Sequence, residues 1–447
     1  MPFRVLSPTA ILGYGFPDSS FRRGLDAGPD VIAVDGGSTD PGPYYLGAGK
    51  PFVSEAAVHA DLKRMIQGGI ALGVPVIVGT AGGCGAAPHL AWTVAIVEHL
   101  LNELGQRMRV AVIHADIDKT QIGAALAEGR IAALPGSPAI DDASLAATRH
   151  IVGQMGTAPI LHALDAGADI ILCGRAYDPA VFAAPAIRAG CDPALATHMG
   201  KIVECAAIAA VPGSGRDCVL AELDGDSFTL VPLSDERAFT PSSVAAHALY
   251  EKSDPYRLPG PDGLLELDDV SYQALDGGRV RVTGTRLVAT GPTIKLEGAM
   301  PIGFRTVCLA GIRDPIMIAR LDDLIAEVER LLKDAHPECT LAAHVYGRDA
   351  VMGASEPART ASVHEVGLLL ECLGPNQDDA NAACALARST LLHIGYPDRL
   401  ATAGNLALPF SPSDLPVGEV FTFSLYHVMQ IDDPGALFPV SLRELGR

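Results

Sequence analysis

The feature that most constrains this chain is an alternation in its first half. Short apolar runs rich in β-branched residues are each followed by a glycine or polar turn and then by a longer Ala-rich segment. The runs lie at Val31 to Asp35, Val74 to Thr80, Val110 to His114 and Ile170 to Cys173; the helical segments lie at Glu55 to Leu72, Leu90 to Leu104, Gln121 to Glu128 and Pro179 to Ala189. Such βαβ units feed a largely parallel sheet, so we expect a mostly parallel, Rossmann-like α/β domain over residues 1–215. After that the texture turns strand-rich. Cys218 to Leu223 and Ser227 to Val231 flank an Asp224-Gly225-Asp226 turn and read as a hairpin. Asp254 to Gly263 reads as a loop, because prolines and glycines follow one another there. Strands are expected at Arg279 to Val288, Thr306 to Leu309, His344 to Val345, Val366 to Glu371 and Val420 to Tyr426, and helices at Ile316 to Ala335 and Asp378 to His393. An α+β domain over residues 216–447 follows.

Bulk properties narrow the partners. A formal charge of −19 and no cluster of Lys and Arg oppose nucleic acid, so an anionic ligand needs a local arginine or a nest of backbone N–H groups. Nine cysteines without a C-x-x-C pair read as reduced thiols of a cytoplasmic protein. The start lacks a signal-peptide pattern, and no apolar run reaches the roughly 18 residues of a membrane span. The expected partners are a small-molecule carboxylate substrate and further copies of the same chain, with no nucleic acid and no membrane.

Ligands of open α/β sheets bind beyond the carboxyl ends of the strands, which directs attention to the turns. The turn from Gly79 to Gly85 places Gly82, Gly83 and Gly85 between a strand and a helix, where backbone N–H groups can cradle an anion. It is not a clean G-x-G-x-x-G and no Walker lysine follows, and close packing of strand on helix would require the same glycines. Asp35, Ser38 and Thr39 belong to a polar loop, Asp35 to Gly42, that reads as ligand-binding or as a self-capped turn. His114, Asp116 and Asp118 fall on one face at strand period, so His114 and Asp116 are candidates for acid–base work or for a divalent metal. Arg175 precedes an Asp178-Pro179 helix start; capping explains Asp178 but leaves Arg175 over as a carboxylate clamp. His198, Lys201 and Glu204 share helical i, i+3 spacing, which suits a base with its orienting carboxylate or an exposed salt-bridged face. Arg305 and Arg348 are anion contacts of lesser weight.

Several longer strings resemble the acyclic terpene utilisation (AtuA-like) family, first named from gene clusters for bacterial growth on acyclic terpenes. They are His364 to Gly367, Ala387 to Pro397, Ala401 to Asp414 and Phe423 to His427, with Ala246 to Glu251 and Gly303 to Arg305 extending the likeness toward the glycine turn. The Asp35 to Asp40 loop departs from the form of the terpene-cluster members, so the resemblance does not imply a terpenoid substrate, and it carries over no catalytic residue. The leading expectation is an enzyme of small carboxylic-acid catabolism. It would be a lyase, hydratase or isomerase, not a redox enzyme, acting on a hydroxy acid, a dicarboxylate or a branched acid. The alternatives are a nucleotide- or CoA-thioester-dependent acyl-processing enzyme and a non-catalytic partner subunit. A divalent metal is the first cofactor to test, and nucleotide or CoA the second.

Overall fold

The computed structural model describes residues 1–250, 254–358, 363–400 and 402–447. Glu251 and Ala401, which belong to two of the family strings, lie outside the described residues. The chain forms two compact units, Met1–Met300 with Phe423–Arg447, and Pro301–Thr422. Residue 215 therefore falls inside the first. The chain leaves the first unit within the strand Thr293–Ile312 and returns within the strand Asp414–Gln430.

The first unit is built on a ten-stranded mixed sheet. At its centre Phe3–Ser7, Val31–Asp35, Val76–Gly79, Ile170–Cys173 and Arg107–Ile113 lie side by side, all parallel. Successive residues alternate between two cores. Ile32, Val34, Val76, Val78, Ile170 and Leu172 pack with the helices Glu55–Leu72 and Ala87–Leu104, while Ala33, Ile77, Ile171 and Cys173 pack with Asp178–Arg188 and Pro193–Val203. A strand buried on both faces must be apolar throughout, which is why these runs were visible as continuous stretches. Each of the two long helices ends on a left-handed glycine, Gly73 and Gly105.

The expectation of a mostly parallel sheet holds only for this centre. Five antiparallel pairings flank it, four through Val219–Asp224, Ser227–Pro232, Arg279–Thr283 and Ser271–Leu275, and one through Val440–Gly446. Nor does the order reproduce a doubly wound dinucleotide-binding sheet. The hairpin around Gly225 forms as its turn chemistry requires.

Other expectations need correction. Asp254 to Gly263 is not only loop, since Arg257–Gly260 and Gly263–Glu266 pair and are joined by Arg286–Val288 in a small sheet. Arg279 to Val288 breaks at Gly284, whose positive φ and close approach to the Asp269 carbonyl demand a glycine. Ile316 to Ala335 is two helices parted at Arg320. The largest omission is Thr293–Ile312, a 20-residue strand of which only Thr306 to Leu309 was anticipated.

In the second unit Thr340–Tyr346, Val366–Gly374 and the Phe304–Ile312 part of the long strand pair antiparallel. Val366–Gly374 alternates buried and half-buried residues, and its buried Val366, Leu368, Leu370 and Cys372 meet Val328, Leu332, Ala383, Ala387 and Leu391 of two helices, Leu321–Ala335 and Gln377–His393. This strand-rich α+β texture is as expected. Among the described residues no helix is long and apolar enough to cross a membrane, and all nine cysteines are free.

Candidate functional site

The carboxyl ends of the central parallel strands open onto a cavity of about 460 Å³ lined by residues of the first unit alone, among them Arg175, Tyr177, Asp178, Lys201, Glu204, Lys295 and Tyr426. Its floor is a network of buried charge. The Arg175 guanidinium, two residues beyond Ile170–Cys173, donates from Nε to Glu297 Oε2 at 2.7 Å and from Nη1 to Asp178 Oδ1 at 3.1 Å. Glu297 also accepts from Lys295 Nζ at 2.9 Å, and Lys201 Nζ meets Glu204 Oε1 at 2.5 Å. Behind this layer Thr80, non-glycine yet at a φ of 40°, accepts from the Ala176 N–H and from Arg175. Such a backbone persists only where its surroundings over-determine it.

Burial opposes every charge here, and the partners decide which survive. Arg175 and Lys295 outweigh the desolvation of Glu297 and hold its carboxyl down to about 2. Glu204 likewise outweighs the desolvation of Lys201 and keeps that ammonium charged. Asp178 goes the other way: burial raises its carboxyl despite Arg175 and Lys201. Burial, with Asp178 adding repulsion, raises Asp35 well above the carboxylate range, and Asp35 Oδ1 has no hydrogen-bond partner among the described residues. The network therefore holds three cations, two acidic side chains in tight ion pairs, and a carboxyl at the cavity wall that burial raises.

The sequence candidates distribute unevenly around this cavity. Arg175 and Glu204 line it, and Asp35 stands close enough to Asp178 to raise its own carboxyl. Arg175, however, spends its planar fork on Glu297, with Nη2 also reaching Oε1 at 3.5 Å. Of the i, i+3 triplet, Lys201 and Glu204 pair, whereas His198 is buried with Nδ1 2.8 Å from Thr285 Oγ1 and burial lowers its pKa to about 3. A histidine that folds neutral favours the folded state above its unfolded pKa of 6.5, and that contribution drains away as pH falls toward 3. His198→Gln is thus expected to be less stable at neutral pH yet to lose less on acidification, read from urea midpoints at pH 7 and pH 5.

His114 and Asp116 lie elsewhere. The strand stops at Ile113, so its alternation does not reach them; His114 lines a separate small pocket, and Asp116 Oδ1 accepts from Ala87 N at the start of a helix. Asp118 caps the next helix in a capping box. Among the described residues no third ligand joins His114 and Asp116 into a cation site. Ser38 donates to Asp40 and Thr39 is buried.

Gly82, Gly83 and Gly85 have φ of 71°, 105° and 68°, and an added Cβ would strike the His89 carbonyl, the Phe52 ring and the Arg175 nitrogen. The turn is buried, and close packing accounts for all three glycines. Arg305 and Arg348 belong to the second unit, where Arg305 pairs with Glu371 and Arg348 with Asp322 and Asp349.

Lys295 and Glu297 were missed. Their only signal is that Lys295 and Glu297 alternate with Ile294 and Leu296, both buried. Charges at strand period inside an apolar run imply a face that is buried and polar at once. Tyr426, which lines the cavity under the Lys295 ammonium at 4.1 Å, belongs to one of the family strings.

Searches of the curated proteins and of the solved structures find no match to this chain. A family model described as acyclic terpene utilisation family protein AtuA matches residues 58–214 and 220–398. That match covers most of the central parallel sheet, Arg175, Asp178, Lys201, Glu204, Lys295 and Glu297, and it exceeds half of the chain, so the protein belongs to the acyclic terpene utilisation family.

Proposed function

We propose that the chain is an enzyme of small carboxylic-acid catabolism, a lyase, hydratase or isomerase that moves a proton with Asp178 while Lys295 holds the substrate carboxylate. The observation that carries this reading is the composition of the cavity wall, where Arg175, Lys201 and Lys295 converge with a carboxyl raised by burial. Apart from Asp178, the three cations outnumber their ion-paired carboxylates, Glu204 and Glu297, by one, which favours an anionic group on the substrate. Lys295 is the cation a substrate meets first, its side chain 23% exposed against 3% for Arg175 and for Lys201. Tyr177, Tyr426, Pro259 and Val428 add apolar walls suited to a short branched or hydroxylated carbon chain.

In this scheme the Asp178 carboxylate, made more basic by burial, takes a proton from the carbon beside the substrate carboxylate, and Lys201 faces the developing negative charge. Return of that proton from Asp178 to a different carbon is isomerisation; its transfer to a departing β-hydroxyl, which leaves as water, is the hydro-lyase outcome. No electrons leave the substrate in either case. Asp178 takes the role expected of His114 or His198, because it lines the cavity and those histidines do not. Close packing already requires the glycines of the turn, so they lend a nucleotide or CoA no separate support.

The test is proton exchange into deuterated water, followed by NMR over hydroxy acids, dicarboxylates and branched acids. For a substrate so found, Asp178→Asn is expected to lower kcat by about 100-fold or more, and Lys295→Met to raise KM with a smaller effect on kcat. An Asp178→Asn enzyme with unchanged kcat sinks the assignment.

A further inference from the structure

The helices Glu55–Leu72 and Ala87–Leu104 lie against each other on one face of the first unit, burying Leu62, Met65 and Ile66 from one and Val97, Leu100 and Leu101 from the other. At the outer rim of that seam the imidazoles of His59 and His99 and the carboxylate of Glu103 bring one ligand atom each within 4.8 Å of one another. His99 and Glu103 sit at i, i+4 on one helix, which presents both on a single face. His59 faces them from the other helix, its Nε2 3.2 Å from Glu103 Oε2 and its ring centroid 5.8 Å from that of His99.

A plain ion-pair rivet explains part of this group. Lys63 Nζ donates to Glu103 Oε1 at 2.6 Å, and His59 shares the other oxygen. His99 takes no part in those bonds, and a rivet has no use for a second imidazole. Two imidazoles and one carboxylate are instead the donor set of a three-ligand zinc site whose fourth position is left to solvent. Magnesium and calcium prefer all-oxygen shells, so the same set selects against them.

We propose that His59, His99 and Glu103 form a surface site for a first-row transition metal of the Zn²⁺ class, which clamps the two helices together. Bond lengths of about 2.0–2.2 Å place tetrahedral ligand atoms roughly 3.5 Å apart. The His59–Glu103 pair already stands at that spacing, and exposed His99 closes the remainder by a rotamer adjustment. The formal charge of −19 draws cations to the chain, while Lys63 is the local charge that opposes one.

The experiment titrates Zn²⁺ alone into the full-length, chelator-treated protein by calorimetry, with a thermal melt at each ratio. One tight equivalent is expected, with a rise in Tm of a few degrees, because a ligand held only by the folded state stabilises it. His59→Ala and His99→Ala, both at the surface and free to fold, are each expected to weaken binding at least about tenfold. Lys63→Met is expected to tighten it, since the opposing cation is gone. Absence of a tight equivalent, or a tight equivalent that both histidine variants retain, overturns the proposal.

Discussion

Replacing Glu297 with alanine is expected to lower the unfolding free energy by about 3–5 kcal/mol, the cost of leaving buried charge unpaired, measured by urea denaturation at pH 7. Glu297 is fully buried and is the shared counter-ion of Arg175 and Lys295. Without it Arg175, only 3% exposed, keeps among the described residues one ion-paired carboxylate, Asp178, and that carboxyl is itself raised by burial. The effect has a pH signature. The folded carboxyl sits at about 2 against an ordinary 4.5, so its contribution is complete above the ordinary value and drains away as pH falls toward 2. The Glu297→Ala chain should therefore lose less on acidification through that window than the native chain does. Equal stability of the two chains at pH 7 would mean that solvent reaches Arg175 and pairs with it.

Gly85→Ala is expected to be comparably severe, about 4 kcal/mol, from a strained left-handed backbone plus an overpacked core. A Cβ built there falls 2.1 Å from the Arg175 nitrogen and 2.5 Å from the Gly174 carbonyl carbon, and main chain cannot rotate away. The matched control is Gly105→Ala. Its φ of 62° imposes the same conformational penalty with nothing within 4 Å, so it should cost only about 1 kcal/mol. Paired thermal melts isolate the steric part. A Gly85→Ala chain as stable as Gly105→Ala would show that the turn has room, and the anion-cradle reading of these glycines would regain its footing.

Much of the first unit was legible because strands buried on both faces must be apolar throughout. Val31–Asp35 and Ile170–Cys173 announce themselves by composition, as do the helices that cover them. The same argument fails for Thr293–Ile312, where Lys295 and Glu297 interrupt the apolar pattern. It fails again for Arg257–Gly260, whose proline and glycine read as loop although the segment pairs with Gly263–Glu266. At the site, Arg175, Lys201 and Glu204 were identifiable from their place after a strand or on one helix. His114 and Asp116 looked equivalent to them by the same rule, yet the strand ends one residue before His114.

The sequence by itself determined the βαβ character of the first 200 or so residues, the net negative charge and the family, because each is local or compositional. Only the tertiary structure decided that the sheet is mixed, that Arg175 is occupied by Glu297 122 residues away, and that His59 meets His99 and Glu103 across two helices. Ion pairs and ligand clusters of that kind depend on sequence separations that neither periodicity nor motif spacing can register. The raised carboxyl of Asp178 follows from the same cause, since burial and the charges around it are properties of the assembled fold.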